Sequence, residues 1–104
     1  MGRLDRDPLL QPSKQVDETE RRRARMKAEC RSRIRAVIDL PAQVNLQGAA
    51  LAGLLSYEEA EVFRAGQEWI LDMRRAARGR SSDPGRFGDW PEPPEGLVAL
   101  ARRF

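Results

Sequence analysis

The sequence predicts an all-α protein with three helices near residues 17–39, 41–55 and 56–78. An extended N-terminal arm precedes them, and a Pro/Gly-rich loop ending in a short helix follows. Three observations carry this. Asp17 with Glu20, and Ser56 with Glu59, have the spacing of a capping box, in which each side chain satisfies a backbone N–H of the first turn. Apolar residues after both starts recur at steps of three and four, the signature of an amphipathic helix. Leu40-Pro41 then divides the first helix from the second.

Residues 1–16 are punctuated by Pro8 and Pro12 and show no periodicity, so they read as an extended arm. From Asp17 a long helix is expected, with Met26, Cys30, Ile34, Val37 and Ile38 on one line. Between them stand many arginines, and Glu29 can pair with Arg33 one turn on. The charges circle this helix, and no aromatic residue interleaves them. The second helix starts at Pro41, where a missing N–H costs nothing. Its small residues Gly48, Ala49, Ala50, Ala52 and Gly53 predict close packing and the deepest burial of the three. Asn45 is expected to cap it or to bond across to the first helix.

The third helix is the best marked. Glu58, Glu59 and Glu61 suit the positive end of its dipole, and Arg74, Arg75 and Arg78 the negative end. Gly79 has the character of a residue just beyond a helix end. Phe63, Ile70 and Ala77 lie beside a second line of Val62, Trp69 and Met73, making one broad apolar face. Gly66 costs about 1 kcal/mol relative to alanine inside a helix, which predicts the close approach of another helix. Residues 80–95 are rich in Gly, Pro, Ser and Asp and read as a loop pinned by Phe87 and Trp90. Residues 96–104 can form a helix too short to persist unless it docks.

The 104 residues suit one domain: an arm over 1–16, a three-helix unit over 17–78, and the loop with its terminal helix over 79–104. Charged residues make up 34% and hydrophobic ones 40%, so the core is small and stability is expected to lean on a partner or on self-association. The balance of 19 basic and 16 acidic residues gives a net charge of +3. There is no histidine, and the single cysteine, Cys30, reads as a buried free thiol. Phosphate-loop glycine spacings and metal-binding cysteine or histidine motifs are lacking, so no catalytic, cofactor or metal site is expected. No apolar run is long enough for a membrane span or the core of a signal peptide, which points to the cytoplasm.

An ordered set of short motifs then carries a resemblance. Ile34 to Val37 reads Ile-Arg-Ala-Val, and Gln43, Asn45 and Leu46 form a Gln-x-Asn-Leu stretch. An acidic helix start at Ser56, Trp69-Ile70, Arg-Arg-Ala-Ala ending at Ala77, and Asp89-Trp90-Pro91 follow in that order. Across residues 28–93 the chain resembles small tail-associated proteins of bacteriophages and prophages, including the tail-fibre assembly group. It differs from them in lacking a tryptophan near Pro41 and in carrying a basic N-terminal helix.

The resemblance implies a non-enzymatic protein that binds phage tail or fibre proteins, in the host cytoplasm during assembly or in the virion tail. Self-association is a further expectation. The partner-binding residues are expected among the surplus apolar groups Trp69, Phe87, Trp90, Leu97 and Phe104. The alternative is a small basic helical regulator associated with nucleic acid, using the arginines that begin at Arg21.

Overall fold

The computed structural model describes residues 14–82 and 89–104. It is all-α: α1 (Lys14–Val37), α2 (Leu40–Leu51), α3 (Tyr57–Ser82) and α4 (Leu97–Arg103), with no strand among the described residues. The arm expected over 1–16 falls largely outside the described residues, as does Phe87; residues 14–16 already belong to α1.

α1 and α3 form the long antiparallel pair. At one end Arg22 reaches the Ser81 carbonyl at 3.5 Å, and at the other Ile38 lines a small cavity with Phe63 and Gly66. The seam follows the sequence periodicity. Cys30 and Ile34 of α1 and Ile38 just beyond it are buried, and so are Gly66, Trp69, Met73 and Ala77 of α3. Burying one large side chain is worth roughly 1.5–3 kcal/mol, so this seam is the chief stabilising feature. α4 adds Leu97 and Leu100 to the same cluster, and α2 adds Leu46.

The helix ends obey local chemistry, in two places differently from expectation. Ser56 and Glu59 do form the reciprocal box: Glu59 N–H donates to Ser56 Oγ at 3.1 Å, and Ser56 N–H to Glu59 Oε1 at 2.9 Å. The other glutamate oxygen accepts from Arg103 at 3.0 Å, tying the start of α3 to the end of α4. The Asp17 box does not form. α1 starts at Lys14, and Asp17 instead pairs with Arg21 at 2.7 Å. Nor does Gly79 end α3. The helix runs on to Ser82, with the Ser81 hydroxyl donating to the Ala77 carbonyl at 2.9 Å. Continuing the helix buries Ser81 beside α1, where Arg22 meets its carbonyl.

α2 is shorter than expected and is not the most buried helix. Asp39 caps it, accepting from Ala42 N–H at 2.9 Å, and Gln43 turns back to donate to the Ile38 carbonyl at the end of α1. Gly53 stops it with φ +73°. Gly53 N–H donates to Ala50 and Leu54 N–H to Ala49, the paired bonds of a left-handed glycine cap. Only Leu46 and Ala49 of α2 are buried. Small residues let α2 come close to its neighbours, but a helix of 12 residues resting mainly on the short α4 has only one face to cover.

Gly66 is where α4 comes in. A Cβ at that position would stand 2.8 Å from Leu97 Cδ1, closer than side chains tolerate. Leu97 is itself 2% exposed. The turn before α4 is held open by Gly96 at φ +88°, a conformation that L-residues avoid. Leu97→Ala is expected to cost about 2–4 kcal/mol, read by thermal melting, with loss of amide-exchange protection across 97–103. Gly66→Leu should release the same helix from the opposite side.

Candidate functional site

The residues expected to bind a partner are distributed between interior and surface. Trp69 is 4% exposed, and its indole N–H donates to the Pro91 carbonyl at 3.0 Å. Leu97 is buried against Gly66. Trp90 and Phe104 are half-buried and pack against the core. Trp69, Trp90 and Leu97 thus meet within the chain, while Phe87 lies outside the described residues.

Trp90 anchors its loop through charge as well as area. The Arg33 guanidinium stands 5.1 Å from the ring centroid and that of Arg80 stands 4.6 Å away. One arginine comes from α1 and the other from α3, so the ring ties the loop to both long helices. Arg33 is oriented by Glu29 at 3.0 Å. Each such cation–π contact is worth about 0.5–2 kcal/mol according to exposure.

Among the described residues, a run of exposed large apolar side chains lies on α2 and the turn after it. Leu40, Val44 and Leu51 share one helical stripe, and Leu54 and Tyr57 continue it beyond the Gly53 cap. Val44 is 66% exposed, Tyr57 81% and Leu51 91%. The deep burial expected of the second helix over 41–55 fails at Val44, Leu51 and Leu54, all exposed. The missed signal is the wide apolar content of α2, more than one neighbour can cover. Asn45 reaches not α1 but the carbonyl of Phe104, which caps the end of α4, at 3.4 Å.

A second surface is a groove of about 850 Å³ between α1 and α3. The charges do circle α1, as expected, yet Arg23, Lys27, Arg31 and Arg35 fall at four-residue spacing and line one wall. Arg74 and Arg78 line the other, and Ile34, Ile70 and Ala77 lie between them. Cys30 is at its floor, buried, and burial pushes its thiol above the ordinary value despite the opposing pull of Arg74 and Arg31. Among the described residues, no cluster of three or more His, Cys, Asp or Glu side chains could hold a metal, and no helix is long and apolar enough to cross a membrane.

The chain matches no family model, and no curated protein or solved structure shows significant similarity to it.

Two outcomes follow from this geometry. Trp90→Ala removes the ring that Arg33 and Arg80 share; it should cost about 1–3 kcal/mol and free residues 89–95 while α1 and α3 stay paired. Trp69→Ala should cost about 3–5 kcal/mol and release the loop as well, because the donor to Pro91 goes with it. Thermal melts and hydrogen exchange on both variants separate the two roles.

The Cys30 thiol should react with an aromatic disulfide reagent only as the chain unfolds. Its folded-state pKa is raised, so above the ordinary thiol pKa the unfolded chain ionises first. The stability owed to the neutral thiol is complete below that pKa and lost as pH climbs through the raised one. Cys30→Ala should flatten this part of the alkaline stability profile, measured by urea melts across the alkaline range.

Proposed function

We propose that this chain is a non-enzymatic component of a phage or prophage tail, binding tail or tail-fibre proteins in tail structure or assembly. It would act in the host cytoplasm during assembly or within the virion tail. The supporting observation is the exposed stripe of Leu40, Val44, Leu51, Leu54 and Tyr57. Apolar surface gathered on one helix and its following turn marks a contact surface rather than the scattered exposure of an ordinary monomer. The ordered motifs between Ile34 and Pro91 supply the link to tail proteins. Trp90 and Phe104 flank the same work by holding the loop and α4 in place. A second copy of the chain is the other occupant this stripe would accept.

One observation favours a second reading, the small basic regulator associated with nucleic acid: the groove between α1 and α3 gathers cations from both helices. Phosphate binding of that kind falls steeply with salt.

The test is affinity capture from prophage-induced cells, with identification of the recovered proteins, using the wild-type chain and a Val44→Asp/Leu51→Asp variant. Both positions are exposed, so the variant should keep its folding stability within about 1 kcal/mol of the original. Tail or fibre proteins recovered by the wild type and lost by the variant support the proposal. Nucleic acid recovered in a salt-sensitive way, without tail proteins, supports the second reading. Sedimentation of the two chains shows whether the stripe also drives self-association.

A further inference from the structure

We propose that the groove between α1 and α3 is a docking site for an acidic amphipathic helix of a partner protein. The inference rests on the reading of this chain as a protein-binding module, but it uses a surface that meets the α2 stripe only at Leu40.

The first argument is charge. The groove is lined by five cations of α1, namely Arg22, Arg23, Lys27, Arg31 and Arg35, and by Arg74 and Arg78 of α3, with no carboxylate among the described residues. The chain is not short of carboxylates; it uses them elsewhere. The ion pairs among the described residues join Arg21, Arg33, Arg64, Arg75 and Arg103 to acids, and none of the groove cations takes part. Like charges one turn apart on a helix destabilise it by a few tenths of a kcal/mol per pair. Arg23, Lys27, Arg31 and Arg35 make an unbroken row of such pairs, and Arg74 with Arg78 makes another. A partner carrying carboxylates relieves that repulsion along both walls at once.

The second argument is the floor. The apolar surface open between the walls is Ile70, half-buried, and Leu40 at 49% exposure at one end, with Cys30, Ile34 and Ala77 already buried beneath it. Phosphates would leave Ile70 and Leu40 uncovered, and among the described residues no aromatic side chain lines the groove to stack a base. An amphipathic helix covers both features, with apolar residues on the strip and acids toward the rows.

The third argument is length. From Thr19 to Arg35 the groove follows α1 for about 24 Å at 1.5 Å per residue, which matches a partner helix of about four turns. The cations repeat at the helical pitch, so one row of partner carboxylates at four-residue spacing stays in step with them.

The experiment uses the full chain and defined probes, by fluorescence anisotropy. The first peptide is a helix of about four turns with leucines on one face and glutamates flanking them. A second has every glutamate replaced by lysine, and a third keeps the glutamates but has every leucine replaced by glutamine. A single-stranded and a duplex DNA oligonucleotide complete the set. The acidic amphipathic peptide should bind, the lysine peptide should not, and the glutamine peptide should bind at least about ten-fold more weakly. Arg31→Glu and Arg74→Glu should each weaken the first peptide about ten-fold or more, and both positions are exposed, so folding is preserved. Arg31→Gln and Arg74→Gln, which lose charge without reversing it, should fall between.

Equal binding of the glutamine and leucine peptides would overturn the inference, because the floor would then have no part. So would DNA binding tighter than the acidic peptide, or no binding by the acidic peptide at micromolar concentration. The Val44→Asp/Leu51→Asp variant should bind the acidic peptide like the wild type. Failure of the groove and failure of the α2 stripe are therefore seen in different measurements.

Discussion

The pairing of α1 with α3 is the contact on which every other part of this chain depends. Cys30, Ile34 and Ile38 meet the face that carries Gly66, Trp69, Met73 and Ala77. Once that seam closes, Gly66 presents a bare backbone for Leu97 and so places α4. Trp69 offers its indole N–H to Pro91 and so places the loop. Arg33 and Arg80, brought from different helices, share the Trp90 ring. A loop with so many prolines has few N–H groups to pair for itself, so side chains of the α1–α3 pair supply what its backbone lacks. α2 is the exception. It is held by Asp39 and Gln43 at its start, by α4 along part of one side and by Gly53 at its end.

Charge on this chain follows a division of labour. Acids at Asp17, Glu29, Glu61 and Asp72 each neutralise an arginine one turn away on the same helix. These exposed pairs are worth little in stability. Their consequence is to concentrate uncompensated positive charge in the α1–α3 groove. A net charge of +3 therefore understates the field there, because the balance is struck on other faces.

The sequence made some of this legible and hid the rest for physical reasons. The α1 and α3 faces were readable because period and burial agree along long helices: Ile34 and Met73 fall where the spacing puts them. The Ser56 box and the Gly66 approach were readable because each has a local cause. Gly79 misled because a glycine late in a helix stops it only if the following residues gain by leaving. Here Ser81 and Arg80 gain by staying, the first buried and the second over Trp90. Gly53 was the true stop, disguised among small residues that all suit a helix interior. Asp17 was misread because the same carboxylate can cap a helix or pair with Arg21, and spacing alone does not choose. The groove required knowing which residues of α1 face α3. The four-residue rhythm from Arg23 to Arg35 was visible, but its convergence with Arg74 and Arg78 is tertiary.

The two open surfaces differ in the kind of partner they select. The α2 stripe is apolar with little ordered polarity, so its affinity would come from area, and many apolar surfaces could satisfy it. The groove combines a narrow apolar strip with fixed rows of charge, so it discriminates by the sign and spacing of the partner's charges as well as by area. Long arginine and lysine side chains can also lay their stems along the strip while their charges meet acids at the rim. A chain with a small core gains stability from whatever binds its folded form alone. Binding in the groove would clamp α1 to α3 directly, reinforcing the contact that places α4 and the loop. Binding at α2 would act on a helix with only Leu46 and Ala49 buried, which reaches the rest of the core mainly through Leu46 and α4. Occupation of the groove should therefore stiffen the whole fold, whereas occupation of α2 should order chiefly that helix and its turn.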